Sequence, residues 1–382
     1  RPLPRAEVRP WLPYVLFVVA GLWGVLIALP QARDEAVREF RWLVFEPLLW
    51  YLLVAWCAAG IPCARLLATL ALVASGTVVA LLGVAQFAGF DLVPLLGDKR
   101  SFSENVILAD GVRRVASVYG HPNNLGLFLE RVWPLAGVLA LGVWRGTLAF
   151  PRWFGWLMAA LACMLLAGIA VTFSRGAWIG AVVSGGILVL SLFGPRLRRG
   201  RVLLWMAGGA LLAAALLGIA FGLRSEGGSA NVRVLLWQEA LGYLRQHPLG
   251  IGLDQFLAYH HPESGLSLID PSLVGTSEMY AAHPHNVLLD IWLRMGPLGL
   301  LVFGWLVLRF VSSALNLVRG SVAEPLALGA LAAMAAALTH ALVDHFYFVP
   351  DLAFTFWLLL SLVQPGRHRG RAGIIPATNQ ES

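Results

Sequence analysis

Long apolar runs alternate with short polar connections along almost the whole chain. A helix that crosses a bilayer needs about 20 mostly apolar residues. Ten runs come close to that length, at about 11–30, 42–60, 64–90, 122–143, 152–173, 176–194, 203–223, 286–308, 322–340 and 345–364. Leu, Ala, Val and Gly dominate them, and none shows the two-residue alternation of a barrel strand. The pattern predicts an all-α fold, a polytopic transmembrane helical bundle. Residues 1–223 would hold spans one to seven and 286–364 spans eight to ten, with a polar, disordered cytoplasmic tail at 365–382. The segment 224–285 is too long for a plain connection and reads as an external loop domain. Its first half has the signature of an amphipathic helix. Asn231 would cap it, Val232, Leu235, Leu236, Ala240, Tyr243 and Leu244 form its apolar stripe, and His247-Pro248 ends it. The stretch 259–284, rich in His, Pro, Ser and Gly, is expected to lack regular structure. The chain begins at Arg1 rather than Met, so its start reads as trimmed.

Composition sharpens this picture. With 58% apolar and 13% charged residues, the chain cannot surround itself with a polar shell. An ordinary soluble domain, a disordered chain and a disulfide scaffold are all excluded on that ground. The net charge is +7, and 27 of the 28 basic residues are Arg, with Lys99 the one Lys. These bases sit in short connections between apolar runs, so they read as topology signals rather than as a nucleic-acid surface. Segments 1–10, 61–65, 144–152, 195–202, 309–321 and 365–382 carry fifteen Arg and fall on one side of an alternating ten-span arrangement. Arg196, Arg198, Arg199 and Arg201 give the strongest single signal. That side is expected to be cytoplasmic, which puts 31–41, 91–121, 174–175, 224–285 and 341–344 outside. The expected location is the inner membrane, with chemistry at the periplasmic face. Cys57, Cys63 and Cys163 match no metal-ligand spacing, and no disulfide is expected.

Chemistry-capable residues gather in the external connections. Thr172-Phe-Ser174-Arg175-Gly176 joins two spans almost without a connector. Arg175 is therefore held at the membrane boundary. There it can grip a pyrophosphate through paired donors, or reach lipid phosphate as an ordinary interfacial Arg. Arg233 falls in the first turn of the expected external helix, a position that suits a phosphate but is equally filled by a solvated Arg. His283-Pro284-His285-Asn286 stands at the mouth of the eighth span. An imidazole there suits general-base work, while zinc is a rival reading that lacks a third ligand at a recognisable spacing. One of the two His can also serve as a cap. Asp290 and Arg294 follow on one helical face and are expected to pair inside the membrane. Glu46, Glu130, Arg131 and Asp344 are further polar residues within apolar surroundings. They suit either interhelical hydrogen bonding or binding.

Taken together, Arg113 to Asn124 (RRVASVYGHPNN), Thr172 to Gly176 (TFSRG), Arg233 with Trp237, His247 to Gly252 (HPLGIG) and His283 to Gly299 resemble the O-antigen ligase and O-antigen polymerase superfamily. The most specific element is His285-Asn286, nine residues, then Gly296-Pro-Leu-Gly299, which looks like the family's H-N-x9-G-x2-G pattern. The resemblance covers about residues 100–350. It implies a metal-independent, inverting glycosyltransferase with no cofactor. The donor would be a glycan on a polyprenyl (undecaprenyl) pyrophosphate carrier, and the acceptor a hydroxyl of lipid A-core or another glycan. Family motif positions fall on His285, Arg175 and Arg233; on physical grounds His285 is the candidate base and the two Arg are expected to share one pyrophosphate. Arg113, Arg114, His121, Asn124, Ser174, His283 and Asn286 are assigned to substrate binding. The expected partners are thus the lipid-linked donor, the acceptor and membrane lipids, with no nucleic acid. A repeat-unit polymerase and a protein O-oligosaccharyltransferase share the donor and differ in the acceptor. A lipid-linked saccharide transporter is the rival of another class, but it needs polar groups along a transmembrane path rather than at one face.

Overall fold

The computed structural model describes residues 11–61, 63–92, 94, 106–109, 112–192, 229–318 and 324–364. It is helical almost throughout, with six helices long and apolar enough to cross a membrane. In chain order the helices are α1 (Leu12–Leu26), α2 (Arg33–Glu39), α3 (Glu46–Gly60), α4 (Ala64–Phe87), α5 (Pro122–Trp144), α6 (Arg152–Val171), α7 (Arg175–Leu192), α8 (Ser229–Gln246), α9 (Phe256–His260), α10 (Val287–Val318), α11 (Pro325–Ala341) and α12 (Pro350–Leu362). Helices stand at nine of the ten expected apolar runs, and three of them (α1, α11, α12) are too short for the spanning criterion. The seventh run, 203–223, lies outside the described residues, as do the Arg196–Arg201 cluster and the tail, so ten spans are not established.

Three local expectations are corrected. The segment 31–41 is helix rather than connection. A single-turn 3-10 helix at Pro30–Ala32 leads into α2, and a π-helical turn at Phe40–Phe45 runs on into α3. Asp34 and Glu35 in the first turn of α2 favour that start, because the amino end of a helix dipole attracts negative charge. The external helix begins at Ser229, before Asn231, so Arg233 lies one turn inside it. The connection 91–121 contains an antiparallel hairpin, β1 (Val106–Ala109) with β2 (Val112–Val115), which pairs Ile107 with Arg114 and Leu108 with Arg113.

The chain divides into two compact units. The first comprises residues 11–50, 229–311 and 341–354 of the described chain. A core forms on α8, where Leu236, Ala240, Tyr243 and Leu244 are buried against Ile251, Phe256, Tyr259, Leu273 and Leu293, flanked by Val232 and Leu235. This is the stripe that the helical spacing predicts. The stretch 259–284 has only single-turn helices, yet it is held by side chains: Asp270 and Thr276 cap the turns that follow them.

Helix α10 is broken at Gly296, whose φ of 69° lies in the left-handed region. Pro297 has no N–H to offer the carbonyl of Leu293. That carbonyl instead accepts from Ile251 and Gly252 N–H at 2.7 and 3.1 Å. Trp292 and Trp23 close the same junction by donating their indole N–H groups to the carbonyls of Pro248 and Leu249. The Pro-Leu-Gly-Ile-Gly turn is thus the cap of a broken helix. Gly296 and Gly250 cannot be replaced cheaply, because a Cβ would lie 2.6 Å from the Leu249 carbonyl at the first and 2.8 Å from the Leu293 carbonyl at the second.

The second unit comprises residues 51–192, 312–340 and 355–364 of the described chain. Its central element is α5, almost entirely enclosed, with α4, α6 and α7 packed against it. Inside it, Glu130 of α5 is paired with His340 of α11 at 3.0 Å. Gly176 lies against that His340 ring, and a Cβ there would come within 2.1 Å of it.

Candidate active site

The expected site residues fall into two groups, one in each unit. In the first unit the HPHN motif, Arg233 and a residue from the 342–349 connection meet. Asn286 caps α10: its Oδ1 accepts from Leu288 and Leu289 N–H at 3.0 and 3.2 Å. Its Nδ2 donates to the carbonyl of Leu342 at 3.1 Å, which ties the start of α10 to the connection that carries Asp344.

Asp344 is buried, and its carboxylate organises the cluster. Oδ1 accepts from His285 Nδ1 at 3.1 Å, from His345 Nδ1 at 3.1 Å and from the His345 backbone N–H at 2.9 Å. Oδ2 faces Arg233 Nη2 at 3.5 Å. Burial alone would push this carboxyl up. The charge and hydrogen bond of His285 and the hydrogen bond of His345 outweigh burial and hold it well below the usual range. In its neutral form His285 would donate from Nδ1 to this carboxylate, which leaves Nε2 as the acceptor, on a ring that keeps 22% of its side-chain surface exposed. Its backbone sits at φ 51°, fixed from both sides. Its N–H donates to His283 Nδ1 at 3.3 Å, and its carbonyl accepts from Trp237 Nε1 at 3.3 Å. Trp237 is one turn beyond Arg233 on α8, so one helical face serves both Asp344 and His285. The His283 ring packs on those of His285 and His345 with centroids 4.2 and 4.6 Å away. Burial, then the neighbouring His285 and His345, keep it neutral, well below an ordinary His.

Arg294 underpins this cluster from inside α10. It donates through Nε to Asp290 Oδ1 at 2.7 Å, through Nη1 to Glu39 Oε1, and through Nη2 to the carbonyl of Ala282 at 3.2 Å. Its guanidinium also lies 4.5 Å over the Phe348 ring. The expected Asp290–Arg294 pair is present, and Glu39 is the partner that sequence reading misses.

In the second unit Arg114 links two motifs. Its Nε donates to the Thr172 carbonyl at 3.0 Å and its Nη2 to Asn123 Oδ1 at 2.9 Å. His121 caps α5 by accepting from Asn123 N–H at 3.1 Å. Ser174 is buried before α7, where its N–H donates to Thr172 Oγ1 at 3.1 Å. Arg175, the first residue of α7, is exposed. Arg113 and Asn124 are half-buried.

The four non-glycine residues with positive φ among the described residues are Ser117, Phe173, Asp254 and His285. Three lie inside the motifs singled out from sequence, and Asp254 follows the fourth by two positions. Backbone held in this region costs of order 1–3 kcal/mol per residue and persists where the surroundings over-determine it, which is the habit of functional sites.

Asp344 and His345 are the site residues that motif reading does not reach. The one signal for Asp344 is its charge inside apolar surroundings. His283, His285 and Asp344 also offer ligand atoms within 4.8 Å of one another, a possible metal-binding arrangement whose third ligand is remote in sequence. Residues 157–304 match the O-antigen ligase family (Wzy_C), a stretch that runs from α6 into α10 and includes Arg175, Arg233 and His285. No curated protein matches the chain.

Proposed function

The chain belongs to the O-antigen ligase and polymerase superfamily of multi-pass membrane proteins, and from that premise we propose that it moves a glycan from a polyprenyl-pyrophosphate carrier to an acceptor hydroxyl. Members of this family are enzymes of the glycosyltransferase type. The observation that carries the finer reading is the Asp344–His285 pair, with Nδ1 engaged at 3.1 Å and Nε2 open on a partly exposed ring.

In the proposed reaction, the acceptor oxygen attacks the anomeric carbon while the bond from that carbon to the pyrophosphate oxygen breaks. The hydroxyl proton passes to His285 Nε2, and polyprenyl pyrophosphate departs with the bonding electron pair. Asp344 fixes the His285 tautomer and stabilises the imidazolium that forms. Arg233, in the unit that holds the base, carries the role of neutralising the leaving pyrophosphate, and the same role for Arg175 rests on its motif position alone. Attack from the face opposite the leaving group inverts the sugar. Arg114, His121, Asn123 and Ser174 hydrogen-bond to backbone or side chains of their own motifs, and the part proposed for them is to shape those loops. The proposed setting is the periplasmic face of the inner membrane, with lipid A-core as acceptor.

The test is transfer by the purified chain from a lipid-pyrophosphate glycan to three alternative acceptors: lipid A-core, a second lipid-linked repeat unit and a protein hydroxyl. Transfer to lipid A-core supports the ligase. Transfer to the repeat unit alone makes the chain a polymerase, and absence of transfer to any of the three overturns the reading.

A further inference from the structure

We propose that His283, His285 and Asp344 form a binding site for a zinc-class divalent ion, and that an ion seated there shuts off transfer. The second half rests on His285 being the base. Among the described residues this is the one group of three or more His, Cys, Asp or Glu whose ligand atoms all come within 4.8 Å of one another. Two imidazoles and one carboxylate suit zinc, copper or nickel and not magnesium or calcium, which take oxygen ligands.

The geometry needs little change to close. Ligands on a tetrahedral zinc at about 2.0–2.1 Å stand roughly 3.3 Å apart. His285 Nδ1 and Asp344 Oδ1 are already 3.1 Å apart. Only the His283 ring has to approach, and its ligand atom already lies within 4.8 Å of the other two. The carboxylate is pre-aimed, because Arg233 faces its other oxygen at 3.5 Å and the His345 N–H and Nδ1 hold Oδ1 at 2.9 and 3.1 Å. Such outer contacts orient metal ligands in established sites. With three protein ligands, the fourth position is left to water.

The consequence for the reaction follows from counting protons on one ring. Neutral His285 has one N–H and one lone pair. In the metal-free site the proton is on Nδ1, shared toward Asp344, and the lone pair is on Nε2. An ion bound to Nδ1 takes that nitrogen's lone pair, so the ring's single proton moves to Nε2. No proton is released from His285, yet Nε2 can no longer accept one from the acceptor hydroxyl. The same move strips Asp344 of its hydrogen bond from the base. Occupancy and catalysis therefore exclude each other.

The experiment uses the purified full chain in lipid nanodiscs after chelator treatment. Zinc chloride titrated against a chromophoric indicator is expected to show one ion per chain, lost in Asp344→Asn and in His283→Ala. Both variants are first checked for a native unfolding transition. Cobalt(II) added to the native chain needs no variant, and its visible absorption is expected to be of the intense tetrahedral kind. Transfer activity should fall about 10²-fold or more with the same midpoint as zinc occupancy, the usual worth of a lost base. Chelator should restore it. Weak octahedral cobalt bands, zinc binding that survives Asp344→Asn, or full transfer by the zinc-loaded chain would each overturn the proposal. If metal-free His285→Ala transfers at the native rate, the base reading fails while the binding half stands. If no zinc binds and His285→Ala is inactive, this inference fails and the base reading stands.

Discussion

Asp344 takes up four donors with two oxygens, and that crowding sets what single substitutions should do. Asp344→Asn keeps the volume but removes the negative charge that supports a protonated His285, and it offers Nδ1 an amide in place of a carboxylate. Transfer is expected to drop by about 10²–10⁴-fold in this variant and in His285→Ala, the range of general-base loss. Binding of the lipid-linked donor should persist in both. Among the described residues His283 accepts the backbone N–H of His285 and no other donor of the cluster, so His283→Ala should be milder. Single-turnover transfer and donor binding, measured side by side, check this. Native transfer by His285→Ala, or a defect confined to donor binding, would remove it as base. Arg175→Lys and Arg233→Lys are expected to weaken donor binding despite keeping charge, because a point charge does not reproduce the paired donors of a guanidinium. Unchanged affinity in both would end the pyrophosphate assignment. At this scale the sequence yields residue types: an H-N dipeptide and an Arg in a helical stripe. It does not yield the partner, since Asp344 lies 59 positions from His285 and 111 from Arg233.

Elements hold these side chains through breaks and caps. The break at Gly296 frees the Leu293 carbonyl for the 248–252 turn, and Arg294, next in the chain, reaches back to Ala282, just before the HPHN loop. Gly296→Ala is expected to destabilise the chain by more than the ~1–2 kcal/mol of the left-handed φ alone, because its Cβ would meet the Leu249 carbonyl. Thermal unfolding in one lipid environment measures it, and an unchanged midpoint would contradict the assignment. Arg294→Met should lower kcat more than it raises the donor KM, since Arg294 positions the base loop and touches no substrate group. A second element-level expectation concerns His260, which is fully buried among acceptors. Its Nδ1 faces both Glu239 oxygens at 2.8–2.9 Å and its Nε2 the Glu278 carbonyl at 2.8 Å, so both nitrogens donate and the ring is an imidazolium. Tyr243 and Tyr259 adjoin this pair, and Phe256 stacks on the ring. Burial alone would lower its pKa. The bonds to Glu239 and Glu278 outweigh burial and raise it. The stabilisation it gives is therefore complete below the ordinary His value of about 6.5 and is lost as pH rises through the raised one. Hydrogen exchange at 256–281 should accelerate with pH beyond its intrinsic trend, and less so in His260→Gln. Identical exchange profiles for the two proteins would contradict this.

Across the whole molecule, the one-sided Arg distribution carries the expected topology. Cys introduced at Ser264 is expected to react with an impermeant reagent from outside, and Cys at Thr147, in the connection between α5 and α6, only after permeabilisation. Labelling of both from outside would overturn the orientation and with it the periplasmic setting. Hydropathy located the helices because lipid imposes apolar runs of fixed length. It misassigned 31–41, where charges made a helix look like a connection, and it passed over the hairpin at 106–115, whose four-residue strands are too short to show a period.

The chain's composition and run lengths by themselves determined a predominantly helical membrane protein. The motif order pointed to the O-antigen ligase family, whose model matches residues 157–304, and the spacing on α8 determined which face is buried. These are properties of local sequence acting on a uniform solvent, so they can be read along the chain. Tertiary structure alone decided that Asp344 orients His285, that Glu39 and Ala282 engage Arg294, and that HPLGIG caps the break at Gly296. These contacts join positions from 12 to 255 residues apart. The reason is physical: a buried charge or a freed carbonyl must find a partner, and which partner it finds depends on how the helices pack.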